Sequence, residues 1–360
     1  MSQTVIDAGT GRASVAGVLD FAWDAGAFTA SEAMHAASLT RSTAIEAIDT
    51  LITAGVLSEL PNARDAGEYR AGRPARRFAL RADAGVVVAL DAGDTHLTAA
   101  IADLAGETRL RRQFPLSPGQ SVDERRSAIL THLRDTLAEA GVGRGEVLAL
   151  CAGVAAPVTL TGQSPPHPEG FWERTNPGLI DVLRDEADVV EVKNDAQLAA
   201  AAEGTEGGAI GCRDYVALLA GERLGAGVVV DGHLLHGAHG GVGEMFAFDF
   251  IRDVDSAFGL GPSLERQARE AIAAAGTTAA AEGLAAMDPA EIHGRDVLEF
   301  AAAGDALALQ VTDASGHVLA RIVGVLGNMF DPDRVIVCGA IADGIQPVLD
   351  AAQRTLAAQI

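Results

Sequence analysis

The sequence predicts an α/β chain: a small head of three helices with a two-stranded wing, then a larger body of strands and helices. Three observations carry that prediction. Short helical periodicities fill the segment before residue 57, an arginine-rich stretch closes the head, and from Gly85 apolar runs of strand length alternate with glycine turns. At 360 residues, 48% of them apolar and 21% charged, the chain has material for more than one core, since single cores stop growing at about 250–300 residues. No uninterrupted apolar stretch of about 18 residues occurs, so no membrane partner is expected.

The head reads helix by helix. Ser14 caps a first helix whose apolar positions Val15, Val18, Leu19 and Ala22 share one face. Thr29 and Glu32 form a capping box that opens a second helix through about Ala37. Thr40 caps a third, with Ala44, Ile48, Leu51 and Ile52 on one side. Only Ser38-Leu39-Thr40 separates the last two, the tight joint of a helix-turn-helix. In that geometry Arg41, Ser42 and Thr43 face the major groove, where one bidentate donor and two small hydroxyls suit phosphate and base-edge contacts. Glu46, on the exposed side of the same helix, repels phosphate. Two strands joined by a polar tip make the wing, and Gly72-Arg73-Pro74 holds an arginine on a restricted backbone suited to a narrow minor groove. Arg73, Arg76 and Arg77 therefore join the expected DNA-contacting set.

Charge supports the same division. Twenty-seven basic residues against 49 acidic ones give a net −22, which argues against a whole-chain nucleic-acid binder. Residues 1–82 hold eight arginines and nine acids, whereas 64–81 hold six arginines against Asp65 and Glu68. A nearly neutral head on a very acidic body describes two functions joined. Met1 to Thr10 carries no base and precedes no apolar run, so no secretory signal is expected. Cys151, Cys212 and Cys338 are too few and too scattered for a disulfide framework. A cytoplasmic location is expected.

In the body, Val86–Leu90 and Leu97–Ile101 form a hairpin around Asp91-Ala92-Gly93-Asp94-Thr95, a turn whose backbone N–H groups can lie against phosphate. Alanine-rich Ala271–Ala286 reads as helix. Leu319–Asn328 and Val335–Gly339 read as helix then strand, and a last helix is expected to pack back on the first lobe.

Several further motifs follow in order: Gly153-Val154-Ala155-Ala156-Pro157, Asn194-Asp195-Ala196, Leu224-Gly225-Ala226-Gly227, Gly240-Gly241-Val242-Gly243-Glu244 and Cys338-Gly339-Ala340. With the Asp91 turn and the winged head, this ordered set resembles the ROK family (repressors, open reading frames and kinases), in its regulator branch. The resemblance implies a two-lobed, actin-like sugar-kinase body. It implies a winged helix-turn-helix over 1–82, a first lobe over 83–200 with a helix at about 345–360 packing back on it, and a second lobe over 201–344.

The resemblance also implies roles. Asp195 occupies the place of the general base that takes a proton from a sugar hydroxyl, with Asn194 beside it; Asn176, Glu244 and Glu265 are further sugar-contacting candidates. Asp91, Gly93 and Thr95, together with Glu222 and Arg223, form an altered nucleotide loop. The family's kinases use Gly-Thr-Gly-x-Gly, and this chain has Gly221-Glu222-Arg223-Leu224-Gly225. A carboxylate about 4 Å from a phosphate charge costs on the order of 4 kcal/mol at an effective dielectric near 20, so no ATP use and no enzymatic activity are expected. Ala247 stands where the family has a histidine, and Phe248–Pro262 lacks the cysteines of its zinc loop. No metal is expected, none is assigned to His233, His236 or His239, and no cofactor is expected. The expected protein is a DNA-binding repressor whose partners are duplex operator DNA and a carbohydrate effector bound between the lobes, working as a homodimer or higher homo-oligomer. The alternative is an ATP-dependent sugar kinase with an N-terminal extension.

Overall fold

A computed structural model describes residues 10–61, 75–167, 169–246, 248, 258–275 and 282–359. The chain divides into two compact units. One comprises Met1–Asp91, Thr95–Ala152 and Asp181–Glu191; the other comprises Ala92–Asp94, Gly153–Ile180 and Val192–Ile360.

In the first unit, α1 (Thr10–Ala25) runs to Gly26, whose φ of 60° turns the chain into β1 (Ala27–Thr29). Ser14 lies inside α1 and is buried, not at its cap. Apolar periodicity fixes which face is buried but not where the helix starts. The next two helices begin as the sequence predicts. Thr29 and Glu32 close their capping box at the head of α2 (Ala30–Ala36), and the Thr40 hydroxyl accepts from the Thr43 N–H at the head of α3 (Arg41–Thr53). Strands β2 (Leu57–Leu60) and β3 (Arg77–Leu80) pair antiparallel, and β1 adds to the other side of β3. The Phe28–Phe78 pair on β1 and β3 joins Val18, Ala22, Ile48, Leu51 and Leu57 in one buried core.

The same unit carries β4 (Val86–Ala92), β5 (His96–Asp103), β6 (Thr108–Pro115), α4 (Val122–Glu139) and β7 (Val147–Val154). Short helices α5 (Phe171–Thr175) and α6 (Leu179–Val182) precede β8 (Val189–Asn194) in the chain. The sheet order is β6-β5-β4-β7-β8. Ser121 and Glu124 cap α4 reciprocally, and Phe114 of β6 stacks on His132 of α4 at 4.1 Å.

The second unit is built on α7 (Asp195–Thr205), β9 (Tyr215–Ala220), β10 (Leu224–Val230) and β11 (His233–Leu234). It continues with α8 (Leu260–Ala275), α9 (Gly294–Ala302), α10 (Ala306–Phe330), β12 (Arg334–Cys338) and α11 (Gln346–Gln359). Its sheet order is β11-β10-β9-β12, with β12 parallel to β9 and the other pairs antiparallel. Helix α11 packs on α10 in this unit, where Gly316 leaves no room for a Cβ against Ala351. Helix α8 is described to Ala275 and 276–281 lie outside the described residues, while Gly283–Ala286, the end of the alanine-rich stretch expected to be helix, is a 3-10 turn that starts at a φ of 61°. Among the described residues no helix is long and apolar enough to cross a membrane.

Candidate functional site

In the second unit Asn194, Asp195, Arg223 and Glu244 are the expected residues found around the start of α7. Asn194 is the N-cap of α7: its Oδ1 accepts from Gln197 N–H at 3.0 Å, and its Nδ2 donates to the Ala156 carbonyl at 3.1 Å. Both ends of this buried amide are thus engaged by the backbone, so Asn194 positions Asp195. Asp195 itself is half-buried at the first position of α7, and its Oδ1 accepts from the Ala196 N–H at 2.8 Å.

Strand β10 explains why α7 lies where it does. Its glycines face the helix: a Cβ on Gly225 would come within 3.2 Å of the Ala196 Cβ, and one on Gly227 would run into the Ala196 carbonyl and the Ala200 side chain. Successive strand residues alternate faces. Arg223, two residues before Gly225 and bridged to Phe258, therefore lies on the same face, toward the N-terminal end of α7. Glu244 bridges Gly225 from the other side, and the Ala226 N–H donates to the Gly243 carbonyl at 2.9 Å. Burial pushes the Glu244 carboxyl up to about 7, against the opposing pull of the Arg223 charge.

An aromatic group that sequence reasoning missed completes the arrangement. The Arg223 guanidinium lies 5.3 Å from the centroid of Phe171, and that of Arg174 also lies 5.3 Å from it. Arg174 is paired with Asp94 at 3.1 Å. Trp172 meets His167 at 4.7 Å and Phe246 at 6.4 Å, edge to face. The available signal was compositional. In a chain with 4% aromatic residues and two tryptophans, Phe171-Trp172 beside Arg174 is an unusual concentration.

Other candidates fall elsewhere. The buried amide of Asn176 donates to the Gly162 carbonyl at 3.1 Å and to Ser164 at 2.9 Å, and accepts from the Leu179 N–H at 3.2 Å. It fastens its own loop and is not presented to a ligand. Glu265 accepts from the Gly294 N–H at the start of α9 at 3.2 Å and lies 3.5 Å from Arg269, so it ties α8 to α9. Asp91, in the first unit, pairs with His96 at 3.0 Å. Thr95 is exposed in that unit and its carbonyl accepts from the Leu116 N–H, whereas Gly93 belongs to the second. Glu222 is exposed, and its carbonyl accepts from the Gly259 N–H at 2.9 Å. Ala247, and 249–257 of the stretch compared with a zinc loop, lie outside the described residues.

In the head, Arg41 and Ser42 are exposed at the start of α3, while Thr43 is half-buried with its hydroxyl 2.8 Å from that of Thr40. Arg76 is taken up locally. It makes a two-pronged contact with Glu59 at 2.8 and 3.0 Å, lies 3.7 Å from Asp49 and covers Phe78. Arg77 faces Thr29 across the sheet; the Thr29 N–H and hydroxyl, and to a lesser extent the Arg77 charge, hold the Glu32 carboxyl below the usual carboxylate range. Arg73 lies outside the described residues.

A family model for the ROK family matches residues 87–359. The chain belongs to the ROK family. It is 30% identical to the N-acetylmannosamine kinase of Citrobacter koseri, over 71% of this chain and 83% of that one. It is 27% identical to the glucokinase of Halalkalibacterium halodurans, over 71% and 80%. Among solved structures, a ROK family transcriptional regulator described as a homolog of the E. coli MLC protein superposes with a TM-score of 0.78 at 20% identity. That match covers 97% of this chain and 88% of the other. A ROK family glucokinase from Streptomyces griseus, in complex with glucose and AMPPNP, superposes at 0.60 and 23% identity, over 76% and 90%. These two likenesses are of fold.

The kinases among the sequence relatives correct the expectation that the body is not an enzyme. That expectation set the Glu222 carboxylate about 4 Å from a phosphate charge at an effective dielectric near 20. The Glu222 side chain is exposed, where water and salt screen such a repulsion further.

Proposed function

We propose that this chain is a sugar-phosphorylating member of the family whose body is joined to a DNA-binding winged head. The observation that carries the reading is the placement of Asp195, half-buried at the first turn of α7 beside the strand that bears Arg223 and the loop that bears Glu244. The kinases among its relatives support it. Asp195 takes the proton of a sugar hydroxyl, and that oxygen attacks the terminal phosphorus of a nucleoside triphosphate. The bond from this phosphorus to its bridging oxygen breaks, leaving a nucleoside diphosphate and a sugar phosphate. A hexose or an N-acylated hexosamine is the substrate class. An ADP-release assay over both classes tests it; turnover no faster than the sugar-free blank for every sugar overturns it.

The head supplies the second half of the proposal. Helix α3 presents Arg41 and Ser42 to solvent after a tight turn, and the full-length likeness to a regulator's fold supports a DNA-reading role. Two copies in a homodimer would set their heads on half-sites about 34 Å apart. Sugar occupancy changes the preferred arrangement of the pair by linkage. Retention of promoter fragments by the full chain at 50 and 200 mM salt tests this half, because phosphate contacts make affinity fall steeply with salt. Binding that ignores salt, or no retention at all, overturns it.

A further inference from the structure

We propose that Arg223 is an anion-binding side chain that grips a phosphoryl group in front of the N-terminal end of α7. The inference deepens the phosphoryl-transfer reading and rests on it for the origin of the group, but not for the contact itself. Three observations carry it.

The body is strongly acidic, yet two guanidinium groups converge on one ring, each 5.3 Å from the Phe171 centroid. They are not equivalent. Arg174 is already neutralised by Asp94 at 3.1 Å in a partly buried pair. Arg223 instead has the Phe171 face beneath it and Glu244 in its neighbourhood. A guanidinium over a ring face is attracted by the ring while its N–H groups remain able to donate to an anion.

Strand alternation sets the face from which Arg223 projects. Gly225 and Gly227 are pressed against α7, so Arg223, on the same face, lies at the Asp195 end of the helix. A phosphoryl group there meets a bidentate donor on one side and the proton-accepting carboxylate on the other. Glu244 explains why the arginine is not simply consumed by a neighbour. Burial pushes this carboxyl up to about 7, so near neutrality it competes only partly for the guanidinium.

The ligand chemistry is a phosphate ester, and it has two sources: the nucleotide or a phosphorylated sugar. Isothermal titration of the full chain separates them, with five probes: ATP, glucose 6-phosphate, N-acetylmannosamine 6-phosphate, and the two unphosphorylated sugars. Arg223→Ala weakens at least one phosphate-bearing probe about tenfold or more, the usual consequence of losing a charge-assisted hydrogen bond. It leaves the affinity of an unphosphorylated sugar within about twofold. Arg223→Lys recovers part of the loss, because it restores charge without the fork. If ATP alone is weakened, the group belongs to the nucleotide; if a sugar phosphate alone is weakened, it belongs to the sugar.

The proposal is overturned if Arg223→Ala leaves every phosphate-bearing probe unchanged, or if it weakens phosphorylated and plain sugars equally. It is overturned too if wild-type protein binds none of the phosphate-bearing probes. Phe171→Leu is the companion variant. It keeps an apolar support but removes the ring, and it reproduces a smaller version of the Arg223→Ala pattern. The broader reading fails separately, when wild-type protein binds a phosphate ester tightly but releases no ADP with any sugar.

Discussion

Helices α3 and α7 begin alike and meet opposite surroundings. Each is opened by a side-chain cap, Thr40 accepting from the Thr43 N–H at 3.3 Å and Asn194 accepting from the Gln197 N–H at 3.0 Å. After the cap they diverge. Arg41 and Ser42 are exposed, whereas Ala196 and Gln197 are buried and Asp195 is half-buried. The difference lies in what is packed against each helix. Among the described residues, no strand of the head presents glycines to the first turn of α3. In β10, two glycines remove the Cβ atoms that would hold α7 away. An open first turn suits a partner as large as a duplex; a first turn seated on a strand confines its polar groups for a ligand of a few atoms.

The largest effect expected from breaking this contrast is at Asp195. Asp195→Asn keeps the shape of the α7 start and removes the proton acceptor, so sugar phosphorylation falls by about 10²–10⁴-fold. DNA retention by the same protein stays at the wild-type level, because α3 begins with its own cap. Equal loss of both activities would make Asp195 a folding residue. Steady-state ADP release beside a filter-retention assay reads the two.

Packing is the next target. Gly227→Val drives a branched side chain into the Ala196 carbonyl and the Ala200 methyl group. Overpacking of this kind costs about 1–3 kcal/mol, and contact with backbone, which has little freedom to yield, places it at the upper end. Thermal denaturation shifts down by several degrees, and sugar binding weakens with it. An unchanged melting temperature would mean that α7 does not depend on its glycine seat.

A third test uses protons. The Glu244 carboxyl has an ordinary value of 4.5 and is raised to about 7 by burial. The folded state therefore holds its proton more tightly than the unfolded chain does. The associated stability is fully present below about 4.5 and is lost as the pH rises through about 7. The loss is at most about 3–4 kcal/mol, since each pH unit of difference corresponds to about 1.4 kcal/mol. Glu244→Gln cannot ionise and flattens the change of the urea midpoint between pH 5 and 7. Identical slopes in both proteins would remove Glu244 as the source.

What the sequence discloses follows the same line between local and distant contacts. The Thr29–Glu32 box and the Thr40 cap join residues three positions apart, so they are legible without a structure. Strand β1 is three residues long and exists because Phe28 meets Phe78, fifty positions away, so nothing in its own stretch announces it. Asn176 reads as a ligand contact because an amide before Pro-Gly looks available. Its partners at Gly162 and Ser164 lie behind it in the chain and satisfy it. Arg76 reads as a DNA contact for the same reason, while Glu59 and Asp49 hold it. Motif order locates Asp195 and Glu244. The contact of Arg223 with Phe171, which sets a cation over a ring, joins the start of a short helix to the lead-in of a strand about fifty residues later.

The smallest effect is the most discriminating, because its two readouts move in opposite directions. Arg41 stands at the first position of α3. The N–H groups of a helix start carry positive partial charge, and a cation there is unfavourable by about 0.3–1 kcal/mol. Arg41→Ala removes that repulsion and adds helix propensity, so the protein becomes slightly more stable, by a few tenths of a kcal/mol. DNA affinity falls, and the slope of log affinity against log salt shrinks by about 0.9 for each phosphate that is no longer neutralised. If Arg41→Ala lowered stability and left the salt slope untouched, the open first turn of α3 would no longer be a DNA-reading surface, and the contrast with α7 would reduce to packing alone.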